Sequence, residues 1–266
     1  MRCLKRSFLS LRFIFEASIH VLRFTKLTKM TKHPLLLVPG LMCDHASWAP
    51  MLPYLDAHIT HTTVDHGDAD SLVVMAERIL ENAPAVFDLA GHSMGGRVAL
   101  EVMRLAPQRV RRLALLGTGY RAKESGEAGA EELRKRQVLL DIARIQGIRA
   151  MAMEWVKPMV APSRLGDTAF VEQILAMICR KSEDIFKRQI KALIERPHAS
   201  DVLSQVQIPT LVMAGAFDSW ATPAQHQDIA NHIPAKPEVA VIGPSGHMMM
   251  MEEPQLVAHH FNQWLA

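Results

Sequence analysis

The chain has 266 residues, 49% hydrophobic and 21% charged, which is enough apolar material for one sizeable core and excludes a disordered chain. Its formal charge of +3 hides an asymmetry: residues 1–29 carry seven Lys or Arg against Glu16 alone, and the remainder is acidic by about three charges, so no basic surplus points to nucleic acid. Cys3, Cys43 and Cys179 cannot all pair with one another and lack metal-ligand spacing, so free thiols in a reducing, cytoplasmic setting are expected.

Residues 1–30 form a basic leader, expected to stand outside the folded body. Its apolar run is broken by Arg12 and Glu16 and has no small-residue cleavage site, which argues against a secretory signal or a membrane span. A mitochondrial-type presequence and an upstream start, with natural translation beginning at Met30, stay open as readings. From residue 35 short apolar or β-branched runs predict strands at Leu35 to Val38, Ile59 to Val64, Val86 to Ala90, Leu113 to Gly117, Thr210 to Ala214 and Val239 to Ile242. Amphipathic stretches predict helices at Ser71 to Asn82, Gly95 to Leu105, Gln225 to His232 and Pro254 to Leu265. Such alternation predicts an α/β architecture with a mostly parallel, doubly wound sheet.

Between Gly119 and about Ser200 no strand is evident. Helical segments are expected around Ala130 to Ile145, Arg149 to Val156, Thr168 to Cys179 and Ser182 to Glu195, entered through the polar stretch RAKESGEAGAEE, which reads as a flexible linker. The predicted organisation is a core of residues 31–118 and 201–266 with a helical cap at 119–200.

The stretch DLAGHSMGGRVALEVM carries the chemistry. Gly91, His92, Ser93, Met94 and Gly95 form G-x-S-x-G between a strand-like run and a helical pattern, the context of a nucleophile elbow. A serine hydroxyl needs a base, and the base needs an orienting carboxylate. In this architecture they follow in the order Ser, acid, His. Asp218 lies just past the run TLVMAG, and His247 lies on a Gly-containing loop past EVAVIG, both at strand carboxyl ends where ligands gather in open parallel sheets. An oxyanion hole then draws on the amide of Met94 and, from the loop after the first core strand, the amide of Leu41. Cys43 on that loop has no His–acid pair to serve it and reads as a packed or half-exposed thiol. His58, His61 and His66 match no zinc spacing, His259 and His260 read as surface or packing residues, and no metal or organic cofactor is called for.

GHSMGG, GAFDSWATP and PSGHMMMMEEP together resemble the α/β-hydrolase superfamily from about residue 34 to the end, with Ser93, Asp218 and His247 on its triad. The resemblance implies an α/β-hydrolase fold with an inserted helical cap. Pro39 stands where many members have a histidine before the glycine. A serine nucleophile disfavours the dehalogenase and epoxide-hydrolase chemistries that use an aspartate. GHSMGGRVAL and EWVKPMVAPSRL resemble the menaquinone-pathway synthase that eliminates pyruvate to give 2-succinyl-6-hydroxycyclohexadiene carboxylate, although Val156 replaces its aromatic. Carboxylesterases of the pimeloyl-carrier-protein methyl ester and enol-lactone type are matched through looser motifs. The resemblance makes Arg97 a substrate-carboxylate binder and Trp155 a pocket wall. The blander readings are a structural ion pair for Arg97 and a packing anchor for Trp155. Met248 to Met251 read as core filler, with one or two lining a cleft. The expected activity is hydrolysis of a small carboxylic ester, lactone or thioester through an acyl-enzyme on Ser93. Pyruvate elimination by the same triad and ligand reception with little turnover are the alternatives. The expected partner is a small ester or acid; the oligomeric state stays open.

Overall fold

The computed structural model describes residues 33–266, so the expectations for the leader and for Cys3 lie outside it. Six strands, β1 (Leu35–Val38), β2 (His61–Thr63), β3 (Phe87–His92), β4 (Val110–Leu116), β5 (Thr210–Gly215) and β6 (Val239–Ile242), form one sheet in the order β2-β1-β3-β4-β5-β6. Every neighbouring pair is parallel. The edge strand β2, paired on one side, is shorter than its apolar run suggested. β4 starts earlier than expected, because the charge of Arg111 is met by the buried Asp88 of β3 at 2.6 Å.

The helices are α1 (Leu72–Asn82), α2 (Met94–Leu105), α3 (Gly126–Gln146), α4 (Ile148–Trp155), α5 (Thr168–Cys179), α6 (Glu183–Ile194), α7 (Ser200–Leu203), α8 (Pro223–His232), α9 (Met249–Glu252) and α10 (Pro254–Leu265). Strand alternation divides the core. Leu36 and Val38 pack with α1, α2 and α8 on one face, while Leu35 and Leu37 pack with Trp48, Met51 and α10 on the other. Each fully buried Leu or Val side chain contributes roughly 1.5–3 kcal/mol.

Helices α3–α6 are inserted between β4 and β5, strands that nevertheless pair directly. One expectation is corrected here: α3 begins at Gly126, inside the stretch read as a flexible linker. The acid Glu127 sits in the first turn, where the helix dipole favours negative charge, and Arg134–Glu131 and Arg136–Glu132 pairs at 2.8 Å staple the following turns. Buried residues of the insertion, including Met151, Ile174 and Phe186, share one core cluster with Met94 and Val98. Outside that core, Arg180 pairs with Asp44 and Lys191 with Asp70, each at 2.7 Å. No helix among the described residues is long and apolar enough to cross a membrane.

Candidate active site

Ser93 links β3 to α2 with φ 56° and ψ −119°, a region that L-residues rarely occupy. Its surroundings hold it there. Its amide donates to the Leu116 carbonyl at 2.9 Å, and its own carbonyl accepts from the Thr118 hydroxyl at 2.7 Å. The turn is so tight that a Cβ on Gly91 would strike the Gly95 carbonyl, and one on Gly95 would strike the Val38 carbonyl. The glycines flanking the serine therefore answer a steric demand.

Asp218 lies beyond β5 and His247 beyond β6, and Asp218 Oδ2 is 2.7 Å from His247 Nδ1. Asp218 Oδ1 accepts from the amides of Trp220 and Ala221 at 2.9 Å. Burial pushes the Asp218 carboxyl up, but the His247 charge and hydrogen bond, with the two amides, outweigh it and hold the group at about 2. An ionised carboxylate only accepts, so Nδ1 carries the imidazole proton and Nε2 is left free to act as a base.

Ser93, His247, Leu41 and Met94 line one cavity of about 1160 Å³. Gly40 brings the loop after β1 against the serine, so close that a Cβ there would lie 3.1 Å from Ser93 Cβ. Among the described residues the amides of Leu41 and Met94 donate to no backbone or side-chain group, and the Ser93 hydroxyl is likewise unpaired. The Pro39 carbonyl accepts from His66 Nε2 at 2.9 Å, which gives this buried member of the histidine cluster a structural partner. His92 donates through Nε2 to the His247 carbonyl at 2.9 Å. Burial, reinforced by His247, pushes His92 down to about 3, so it stays neutral. Cys43 is also buried, and burial with the nearby Asp44 pushes its thiol up to about 12. Among the described residues no three His, Cys, Asp or Glu side chains are grouped to hold a metal ion.

The charges along the insertion side of the cavity are mostly matched. Arg121 pairs with Asp228 at 2.9 Å, and Arg136 and Arg196 share Glu132 at 2.8 and 2.6 Å. Arg97 is different: its guanidinium donates to the Arg121 carbonyl at 2.9 Å and forms no ion pair among the described residues. Burial, with repulsion from Arg196, lowers it to about 9, still protonated at neutral pH. The structural reading of Arg97 as half of an ion pair is thus corrected. Trp155 is half-buried, stacks on Trp220 at 5.8 Å and also packs against Phe186. Trp220 in turn presents an edge contact to His247 at 5.0 Å. Of the four methionines after His247, Met248 lines the cavity and the other three are packed.

The structure brings Ser93, His247, Leu41, Met94, Arg97 and Trp155 together around this cavity, with Asp218 buried beside it against His247. Trp220 went unassigned in the sequence, although it stands two residues after Asp218. Glu132 and Arg136 stand one helical turn apart in α3, but Arg196 carries no local signal, because its pairing with Glu132 is made across the insertion.

A model of the alpha/beta hydrolase family matches residues 35–260. The chain is 30% identical over 260 residues to the dihydrolipoyllysine-residue acetyltransferase component of the acetoin cleaving system of Pseudomonas putida, covering 91% of this chain and spanning 66% of that protein's length. Among solved structures, a thermophilic esterase from Thermogutta terrifontis with malate bound superposes with a TM-score of 0.75 at 25% identity, over 88% of this chain and 89% of the esterase. The enol-lactonase of Burkholderia xenovorans LB400 gives 0.76 at 19% identity, over 88% and 91% of the two chains, a likeness of fold.

Proposed function

The chain belongs to the alpha/beta hydrolase family, and we propose that within it the protein is a serine esterase acting on a small carboxylic ester, lactone or thioester. The observation that carries this reading is a His247–Asp218 pair at 2.7 Å opening onto the same cavity as a serine held at φ 56° at the N-terminus of α2. His247 Nε2 takes the hydroxyl proton as Ser93 attacks the carbonyl carbon, and Asp218 stabilises the imidazolium. The amides of Leu41 and Met94 receive the oxyanion, and the start of α2 adds its dipole. The tetrahedral species collapses as the imidazolium returns its proton to the leaving group, and water then repeats the sequence to free the acyl group. In the complex with substrate the Ser93 hydroxyl donates to His247 Nε2.

Helices α3–α6 act as the cap, with Trp155 and Trp220 as an apolar wall. The unpaired guanidinium of Arg97 favours an acyl or alcohol portion that carries a carboxylate. Val156, which stands where the pyruvate-eliminating synthase has an aromatic, is buried and does not line the cavity, so that difference decides nothing; the likeness to a thermophilic esterase is what supports hydrolysis. The test is a panel of acyl esters, lactones and thioesters given to the wild type and to Ser93→Ala, together with labelling by a fluorophosphonate. Turnover and labelling are expected for the wild type, with the variant unlabelled and slower by roughly 10³-fold or more. Equal turnover by the two proteins would remove Ser93 from the chemistry. Ligand-induced thermal stabilisation without turnover of any substrate in the panel would favour a receptor.

A further inference from the structure

Glu252, at the end of α9, is a buried carboxylate that forms no ion pair among the described residues. Its two oxygens are instead spent on backbone amides. Oε2 accepts from Ala161 at 2.8 Å and from Gly246 at 3.0 Å, and Oε1 accepts from Gly246 at 3.0 Å and from Met248 at 3.2 Å. The amide between these two, that of His247 itself, donates to the Met159 carbonyl at 2.8 Å. Three consecutive amides of the histidine loop are thus fixed, two by one carboxylate and one by the insertion. The fit is close, since a Cβ on Gly246 would lie 2.6 Å from the Val160 carbonyl carbon and 2.7 Å from the Ala161 nitrogen. Burial pushes the Glu252 carboxyl up, against the three amides and the charge of Arg164, so the group is costly to place, and a neutral side chain would pack a loop with a smaller penalty. What the carboxylate adds is directional: it fixes the peptide unit that follows His247 and the one that precedes Gly246, and ties both to the Ala161 amide of the insertion, while the His247 amide itself is held by Met159.

We propose that Glu252 is a positioning residue that orients His247 for proton transfer and couples that orientation to the seating of the helical insertion. This rests on the reading of His247 as the general base. Glu252→Gln keeps the shape but turns an N–H₂ group toward amide donors, breaking at least one bond. Glu252→Asp keeps the charge but falls short of the loop.

The experiment uses the full chain, well below each variant's unfolding midpoint, with a p-nitrophenyl ester and with proton NMR of the imidazole Nδ1–H shared with Asp218. Glu252→Gln is expected to lower kcat roughly tenfold or more with KM within about twofold, and to shift or broaden the imidazole proton. Glu252→Asp should do the same to a smaller degree, and it decides alone if the glutamine variant does not fold. In the wild type the amides of Gly246, His247 and Met248 should be protected from hydrogen exchange, a measurement that stands if neither variant folds. A folded variant whose kcat and imidazole proton match the wild type, or wild-type amides exchanging as fast as those of exposed loops, would overturn the assignment. A wild type that turns over no ester would remove the hydrolase reading alone, because the imidazole proton and the amide protection still report on Glu252.

Discussion

The amide of Met42 donates to Oε1 of Gln189 at 2.8 Å, joining the loop after β1 to α6 across 147 positions of sequence. Met42 holds φ 58°, and the amide assigned to the oxyanion belongs to its neighbour Leu41. Gln189→Leu keeps the volume and removes the acceptor, leaving a buried amide unpaired. The expected outcome is a loss of about 1–3 kcal/mol of stability and a lower kcat with little change in KM. Denaturant unfolding and ester kinetics measure both, and an unchanged kcat would confine Gln189 to stability.

Asp218 gives a pH signature. Its carboxyl is held at about 2 in the folded chain, against roughly 3.9 when unfolded. Between those values the unfolded chain binds more protons, so stability rises with pH across the window. The contribution, about 2 kcal/mol, is complete above about pH 4 and is lost as the pH falls through about 2. Asp218→Asn lacks this dependence. The gap in unfolding free energy between wild type and variant should therefore shrink on acidification, and a gap constant from about pH 5 to about pH 2 would contradict the shift. At neutral pH the variant should lose roughly 10⁴-fold in kcat, since an amide stabilises the wrong imidazole tautomer.

Arg97→Met keeps much of the stem and deletes the charge. If the guanidinium receives a substrate carboxylate, kcat/KM for esters bearing a free carboxylate falls roughly ten- to a hundredfold, while neutral esters of similar length barely change. Equal effects on both ester classes, or none on either, would make Arg97 structural.

The elbow is tested by adding one methyl group. Gly95→Ala drives a Cβ into the Val38 carbonyl, a backbone atom that cannot swing aside. A loss of about 1–3 kcal/mol is expected, read as a fall in Tm of roughly 3–10 °C. Gly166→Ala, with nothing within 4 Å of the new Cβ, serves as the control and should leave Tm unchanged.

Much of this site is legible before any coordinates. β1 and β6 have the bounds their apolar runs suggest, and Ser93, Asp218 and His247 stand beside strand ends because each is bracketed by a short hydrophobic run and a turn. What escaped the sequence is held by long-range pairing. Nothing near Glu252 marks it as the acceptor for Ala161, and nothing near Arg196 announces Glu132. The start of α3 was missed for a different reason: glycines and polar residues looked like a loop, while ion pairs one helical turn apart made a helix of them.

The order of elements along the chain also bears on when the protein becomes reactive. Ser93 belongs to β3 and α2, whereas Asp218 and His247 follow β5 and β6, and β5 can dock on β4 only by closing a loop that contains α3–α6. During synthesis the serine emerges first, without the partner that would draw off its proton. A nascent or truncated chain that ends before β5 thus carries Ser93 without Asp218 or His247, and under the proposed mechanism its hydroxyl stays inert until both β5 and β6 have joined the sheet.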